Sequence, residues 1–495
     1  MKPTFLDKLV LWASPARGLR RIQMRMAQDL LLKRGYEAAK TYASSDWVTA
    51  QKTSANAEIA SAQTVLQQKS RDLARNNPYA LRALDVIVAE TVGSGIVANI
   101  KGRNPTQEKR LARLWKEVAE TSACDAEGRH NFYGLQALAM RSVVESGEVI
   151  AKKLVSPDAP RIQLLESDFI VSSKDDGKTQ VQGIELDAEG RRLKYHIYKK
   201  HPGDAISTTE SMAVPAENLA HVYRQQRPGQ LRGVPWSHAV METLKDFADY
   251  QYATLVRCKI AACFSGFITT NNSGISLTAS ELKALREAEM KLSPGTVRYL
   301  NEGESFQYAS PPGVDGYAEF IRESMRATAA GYGISYEAMT GDYSQVNFSS
   351  GRMGHIQFRR NIDSWRWNML IPQFCDPYAK WFLEWAKLRG YDVEGAYFEW
   401  VPPAHVMIDP AKEIGADKEA VKAGFKSRSQ VIRESGYDPD TVREEIREER
   451  EKDQEAGLKF DTDIASSLPA ETPEGNSTNE DKEDAPQSPD KGSGE

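Results

Sequence analysis

Hydrophobic positions follow a helical period over the first part of this chain, an extended one in the middle, and a helical one again to near the end. Residues 71–75, the break at Asn76-Asn77-Pro78 and residues 79–90 read as helix, break, helix, with Asn77 placed to cap the second helix and Pro78 in its first turn. Gly93-Ser94-Gly95 ends that helix. Leu111, Leu114, Trp115 and Val118 follow i, i+3, i+4, i+7, the stripe of a core-facing helix. A third helix is expected at about 133–145. After Ser146-Gly147 short strands are expected at 148–154, 161–165, 169–172 and 219–223, with a hairpin joining 183–187 to 193–198 across Ala188-Glu189-Gly190.

Gly233-Val234-Pro235-Trp236 opens a long helix over about 237–263. The mixed segment 264–314 holds a Ser/Thr/Asn loop and a charged helix carrying Lys283, Arg286 and Lys291. Another helix starts at 315 and places Arg322 and Arg326 on one face. A polar loop runs from Gly341 to Gly351. An aromatic helix follows, in which Phe374, Tyr378, Trp381, Phe382 and Trp385 form a core stripe and Pro372 and Pro377 should introduce kinks. Charged helices are expected at 409–423 and 427–435. The stretch from about Asp453 is rich in Glu, Asp, Ser, Pro and Gly. It cannot bury enough apolar surface to offset its ordering entropy and is expected to be disordered. These elements give a mainly helical α+β protein.

Composition narrows the function. A chain of 495 residues has room for two to four structural regions. The net charge is −5, unlike the basic balance of a sequence-reading DNA-binding domain, so any DNA contact must be local or a loose passage. The first 40 residues run against that balance. Their Arg17, Arg20, Arg21 and Arg25 form either a solvated helix face or a contact with protein or DNA. Mean hydropathy is −0.53, and the apolar runs fall far short of the ~20 residues that span a bilayer, so no membrane role is expected. Asp7 and Lys8 interrupt the apolar positions near the N-terminus, and no signal peptide is read there. Cysteines 124, 258, 263 and 375 show no C-x-x-C spacing. They fit a reducing cytoplasm, with Cys258 and Cys263 packed as small apolar residues.

The search for chemistry is mostly negative. The sequence has no G-x-x-x-x-G-K-[ST] and no H-E-x-x-H, and Gly93-Ser94-Gly95 lacks the spacing of a nucleophile elbow. Glu145 with Glu148, and Asp175 with Asp176, are the acidic pairs to weigh as nuclease carboxylates; both read more simply as turn residues in solvent. No catalytic residue, cofactor or metal ligand is expected, and the chain does not read as an enzyme.

Three segments resemble the lambda family of phage portal proteins. The first is Arg71-Asp-Leu-Ala-Arg-Asn-Asn-Pro78 with Ala80 and Val92-Gly-Ser-Gly-Ile96. The second is Arg227-Pro-Gly-Gln-Leu-Arg-Gly-Val-Pro-Trp236, followed by Asp249-Tyr250, Leu255-Val-Arg257 and Lys259-Ile-Ala-Ala262. The third is Tyr336-Glu-Ala-Met-Thr-Gly-Asp-Tyr-Ser344 with Val346-Asn347, Ser349-Ser350 and Phe358-Arg-Arg360.

The resemblance implies a portal fold of wing, stem, clip and crown around a channel. It divides the chain into a basic N-terminal segment 1–50, a wing 51–236, a stem helix 237–263, a clip 264–314, a second stem helix 315–340, a tunnel loop 341–352, a long wing helix 353–399, crown helices 400–452 and an acidic tail 453–495. It further implies a ring, dodecameric in the assembled head, through which double-stranded DNA enters and leaves. Implied partners are the large terminase subunit, the major capsid protein and head-completion or connector proteins, with the portal vertex of the virion as location and the host cytoplasm as the place of assembly. Tyr343, Ser344, Gln345, Asn347, Ser349, Ser350 and Arg352 would face DNA, and Lys283, Arg286 and Lys291 would dock partners on the clip. The alternatives kept open are a nuclease and another structural protein of head or tail.

Overall fold

The computed structural model describes residues 53–204, 210–263, 267–270, 280, 304–307, 316–458 and 460, and only the backbone of 260–263, 267–270, 304–307, 348 and 349. The expected basic N-terminal segment, most of the clip with Lys283, Arg286 and Lys291, and the acidic tail past 460 lie outside the described residues. Two compact units divide at Gly436.

The first unit starts with helix α1, Ala55–Asn76, capped by the Ser54 side chain, which accepts from the Ala57 amide. It buries Ile59, Ala62 and Leu66. Asn77 then turns the chain, and its side chain accepts from the amides of Tyr79 and Ala80 to start α2, Pro78–Thr91. Strand β1, Val97–Lys101, leads to α3, Pro105–Ala119, which buries Leu111, Leu114, Trp115 and Val118, the stripe read from spacing. Helix α4, Phe132–Ser146, ends on Gly147 with φ 92°.

The extended region forms two sheets. β2 (Glu148–Val155) pairs antiparallel with β3 (Pro160–Glu166). β4 (Gln180–Val181), β5 (Ile184–Leu186), β6 (Arg192–Tyr198) and β7 (Ser211–Pro215) form a four-stranded meander, and β8 (Leu219–Tyr223) returns to the free side of β2. Residues 169–172, expected as a strand, contain only a single bridge from Ile170 to Ile197 after a short helical turn at Ser167–Phe169.

Helix α5 spans Met241–Cys263. Strands β9, Phe267–Thr270, and β10, Glu304–Gln307, pair antiparallel. The second expected stem helix is two helices. α6, Tyr317–Tyr332, stops at Gly333, whose φ of 77° leaves the helical region while its amide bonds back to Ala329 and Ala330. The short α7 is Tyr336–Thr340.

The long aromatic helix also differs from expectation. α8, Phe348–Trp365, passes into a π-helical stretch, Arg366–Cys375, and then α9, Asp376–Leu388. Trp365, Met369 with Leu370, Phe374 and Tyr378 are all buried, at intervals of between four and five residues. An α-helix would carry these positions progressively around its axis, whereas i→i+5 bonding keeps them on one side. Pro372 lies inside this stretch and Pro377 opens the first turn of α9, so neither breaks the run.

Strand β11, Tyr397–Val401, pairs with β1, which takes residues 400–401 out of the expected crown helices. Trp115 sits at the centre of the core, with the rings of Phe132, Tyr378, Phe382, Phe398 and Trp400 at 5.0–6.2 Å. α10, Pro410–Lys422, and α11, Arg428–Glu434, complete this unit. The second unit holds α12, Pro439–Ala456, laced by ion pairs such as Arg447–Glu444; it continues three residues past the expected start of the tail at Asp453.

Candidate functional site

The polar loop after α7 is short and tied to its neighbours. Gly341 ends α7 with φ 71°. The Asp342 carboxylate accepts from the Ser344 amide at 3.0 Å and the Tyr336 hydroxyl at 3.1 Å. Hydrogen bonds from Ser344 and then Tyr336 hold this carboxyl below its usual range, with help from the Arg322 charge. Arg326 lies over the Tyr336 ring at 5.8 Å and pairs with Glu323 at 2.6 Å. The two arginines that share a face of α6 therefore bear on the residues that hold the loop.

Asn347 closes the loop. Its side chain accepts from the Ser350 amide at 2.8 Å, while Ser350 Oγ accepts from the Asn347 amide at 3.2 Å, a reciprocal cap. The helix consequently starts at Phe348. Ser349, Ser350, Gly351 and Arg352, expected in the loop, belong to the start of this helix. Tyr343, Ser344, Gln345 and Asn347 remain on the loop, and they and Arg352 are exposed.

Sequence reasoning missed the charged centre of the fold. Glu148, weighed as a solvated turn acid, is fully buried. Its carboxylate accepts from Arg232 Nε at 2.9 Å, from the other side of the Arg232 fork at 2.6 Å, from Gln63 at 2.8 Å and from the Gly233 amide at 2.7 Å; His221 Nε2 lies 3.0 Å away. Burial by itself would raise this carboxyl, but the Arg232 charge and the His221 contact outweigh it and lower the group to about 2. Burial dominates at His221 and lowers it to about 4, leaving the imidazole neutral near pH 7.

Gly147 and Gly233 let the two chain segments meet here. A Cβ on Gly233 would fall 2.1 Å from the Gly147 carbonyl oxygen. The available signal was the Arg232-Gly233 pair inside the second resemblance segment, yet its partner lies 84 residues away in sequence.

Other anchors of the fold, inside and outside the resemblance segments, are likewise structural. Arg71 bonds Ser146 Oγ at 3.0 Å and pairs with Asp168 and Glu166. Trp236 packs on Trp365 at 4.8 Å. Buried Arg366 donates to the main-chain oxygens of Thr91 and Glu90 at 2.7 Å and Pro403 at 3.1 Å, capping the end of α2 with a cation.

Among the described residues, Glu166, Asp168 and His201 are close enough to share a metal ion. They do not suit one. The Arg71 guanidinium already pairs with both acids, and His201 Nδ1 accepts from the Gly203 amide, so Nε2 carries the proton. Asp175 and Asp176 accept amides of their own turn, from Gly177 and from Lys178 and Gln180. Cys258, expected to pack, is exposed; Cys124 and Cys375 are buried.

The sequence model of the phage portal proteins, lambda family, matches residues 42–366. The chain belongs to the lambda family of phage portal proteins. Curated relatives agree. The probable portal protein of Halomonas phage phiHAP-1 is 24% identical over 422 residues, covering 79% of this chain and 81% of its own length. Portal protein B of Escherichia phage lambda is 23% identical over 461 residues, covering 79% and 84%.

Among solved structures, the neck of a native gene transfer agent particle computed with C12 symmetry is 16% identical with a TM-score of 0.46, covering 75% of this chain and 94% of that one. An HK97 family phage portal protein from Corynebacterium diphtheriae is 12% identical with a TM-score of 0.33, covering 70% and 96%. At these TM-scores the likenesses carry no weight here. Family membership makes this chain a portal vertex subunit, and the three segments that carry the resemblance are the ones that build the Glu148–Arg232 centre, the α2 cap and the loop closure.

Proposed function

We propose that this portal subunit closes into a dodecameric ring whose bore passes double-stranded DNA into and out of a phage head. One structural observation supports the ring in particular. The near half of α5 buries Met241, Leu244 and Phe247, whereas no described residue after Phe247 in that helix is buried, and Tyr252 and Leu255 are 69% and 50% exposed. A helix that carries large apolar residues into solvent calls for another surface, and in a closed ring the neighbouring copy supplies it through a heterologous contact.

The stem is formed by α5 and α6, the clip by 264–314, and the bore-facing loop by 341–347 with Arg352 one turn beyond. Moving DNA must not be gripped. A bore uniformly lined with Lys and Arg would displace many counterions and act as a brake. Ser344, Gln345 and Asn347 offer hydrogen bonds that exchange readily, and Arg352 adds one cation per subunit. The large terminase subunit and connector proteins dock on the clip through Lys283, Arg286 and Lys291, the wing contacts the major capsid protein, and the ring acts without catalysis. Reversing those three clip charges should lower DNA packaging while rings persist.

Electron microscopy of the purified full chain tests the ring: the expected particle has a central hole, and a chain that stays monomeric across protein and salt concentrations removes the proposal. Deletion of 344–348 should preserve rings and impair DNA packaging or retention. A ring structure with this loop on the outer rim would overturn its assignment.

A further inference from the structure

We propose that the basic N-terminal segment, residues 1–41, docks in the groove bounded by β11, the π-helical stretch, α10 and α11. The groove encloses about 1110 Å³. Its floor is apolar, with Trp367, Ile371, Phe398 and Met407 among the lining residues. Trp367 stands out on this run: it is 52% exposed, while Trp365, Trp381 and Trp385 are buried.

The groove is also acidic. Six carboxylates line it against four Lys and Arg side chains. One of those four, Arg366, is 3% exposed and committed to main-chain oxygens. At the rim Lys426 is shared between Asp417 at 3.0 Å and Glu434 at 2.7 Å, and Glu399 reaches Arg433 only at 3.9 Å. The rim is left with a carboxylate excess beside an apolar floor.

Residues 1–41 carry the complementary chemistry. They hold nine Lys and Arg against three Asp and Glu, with the apolar cluster Phe5, Leu6, Leu9, Val10, Leu11 and Trp12. An apolar anchor followed by Arg17, Arg20, Arg21 and Arg25 fits an apolar floor under an acidic rim. The segment precedes the family match at 42–366, and most of the groove, 367–435, follows it. Segment and groove thus lie largely outside the stretch matched to the family. The linker 42–52 extends up to roughly 35–40 Å, more than the length of α1, about 33 Å. Docking within one subunit does not depend on the ring.

Hydrogen exchange of the full-length protein tests this, read on peptides from 398–407 and 428–435 in separated monomer and ring fractions. The quadruple reversal Arg17→Glu, Arg20→Glu, Arg21→Glu, Arg25→Glu should speed exchange in the groove about tenfold, the effect of losing ~1.4 kcal/mol of binding. Glu399→Lys with Glu434→Lys should do the same, and the two sets combined should restore protection. Unchanged exchange in the arm variant overturns the proposal, as does failure of the combined variant to restore protection. Protection that appears only in rings and ignores the arm reversal assigns the groove to a neighbouring copy, and also overturns it. Should the groove variant fold poorly, the arm variant decides alone.

Discussion

At the scale of single residues the fold turns on Glu148. A buried carboxylate is tolerated because Arg232, Gln63 and the Gly233 amide all donate to it, so its charge is fully solvated by protein. Glu148→Gln keeps the shape but strands the Arg232 charge. We expect a loss of about 3–5 kcal/mol in urea unfolding, whereas Glu145→Gln, in the last turn of α4 and only half-buried, should change little.

The same centre sets an acid limit. His221 is lowered from 6.5 to about 4, so between those values the unfolded chain binds a proton that the folded core refuses, and stability falls as pH drops through this window. Glu148, lowered from 4.5 to about 2, continues the loss below pH 4.5 in the same direction. A His221→Gln variant should lose the upper part of this pH dependence and keep the lower; an identical profile from pH 7 to 4 would contradict the assignment.

At the scale of elements, the π-helical stretch decides which face of α9 meets the core. Arg366 fixes its start against α2, and Gln373 accepts from the Tyr223 amide at 2.8 Å, fixing its last turn against β8. Between these anchors the wider turn brings Phe374 and Tyr378 under Trp115 and Phe132. Asn368 is exposed in this stretch. Asn368→Ala should therefore be nearly neutral. Deleting Asn368 rotates α9 by about 100° relative to α8 and should cost several kcal/mol, on the order of a large core truncation. Equal thermal stability of the two variants would show that the stretch tolerates either phase.

At the scale of the whole molecule, the opposed charges of the chain fall at its ends. Residues 1–41 are basic, the stretch past Asp453 is acidic, and the net charge of −5 averages over both. The acidic end supplies few apolar residues, so truncation after 470 should leave folding and particle size unchanged, as read by sedimentation of the full-length and shortened proteins. Loss of folding would mean that this end packs against the body of the subunit.

What the sequence alone determined is local: the Asn77 cap, the stripe on α3, the extended period after Gly147, the core stripe on α9 and, through three segments, the portal family itself. Each rests on residues within a few positions of one another, where spacing and capping act directly. The cap at Asn347 was within reach too, but the reciprocal bond with Ser350 decided that the loop ends there. Only the tertiary structure decided that Glu148 is a buried partner of Arg232, that Arg366 closes α2 across 275 residues, and that β1 pairs with β11 from a distant part of the sequence. It also decided that an apparently continuous aromatic helix must change its turn to keep one face on Trp115. Those features depend on contacts between distant segments, whose free energy is absent from any local window of sequence.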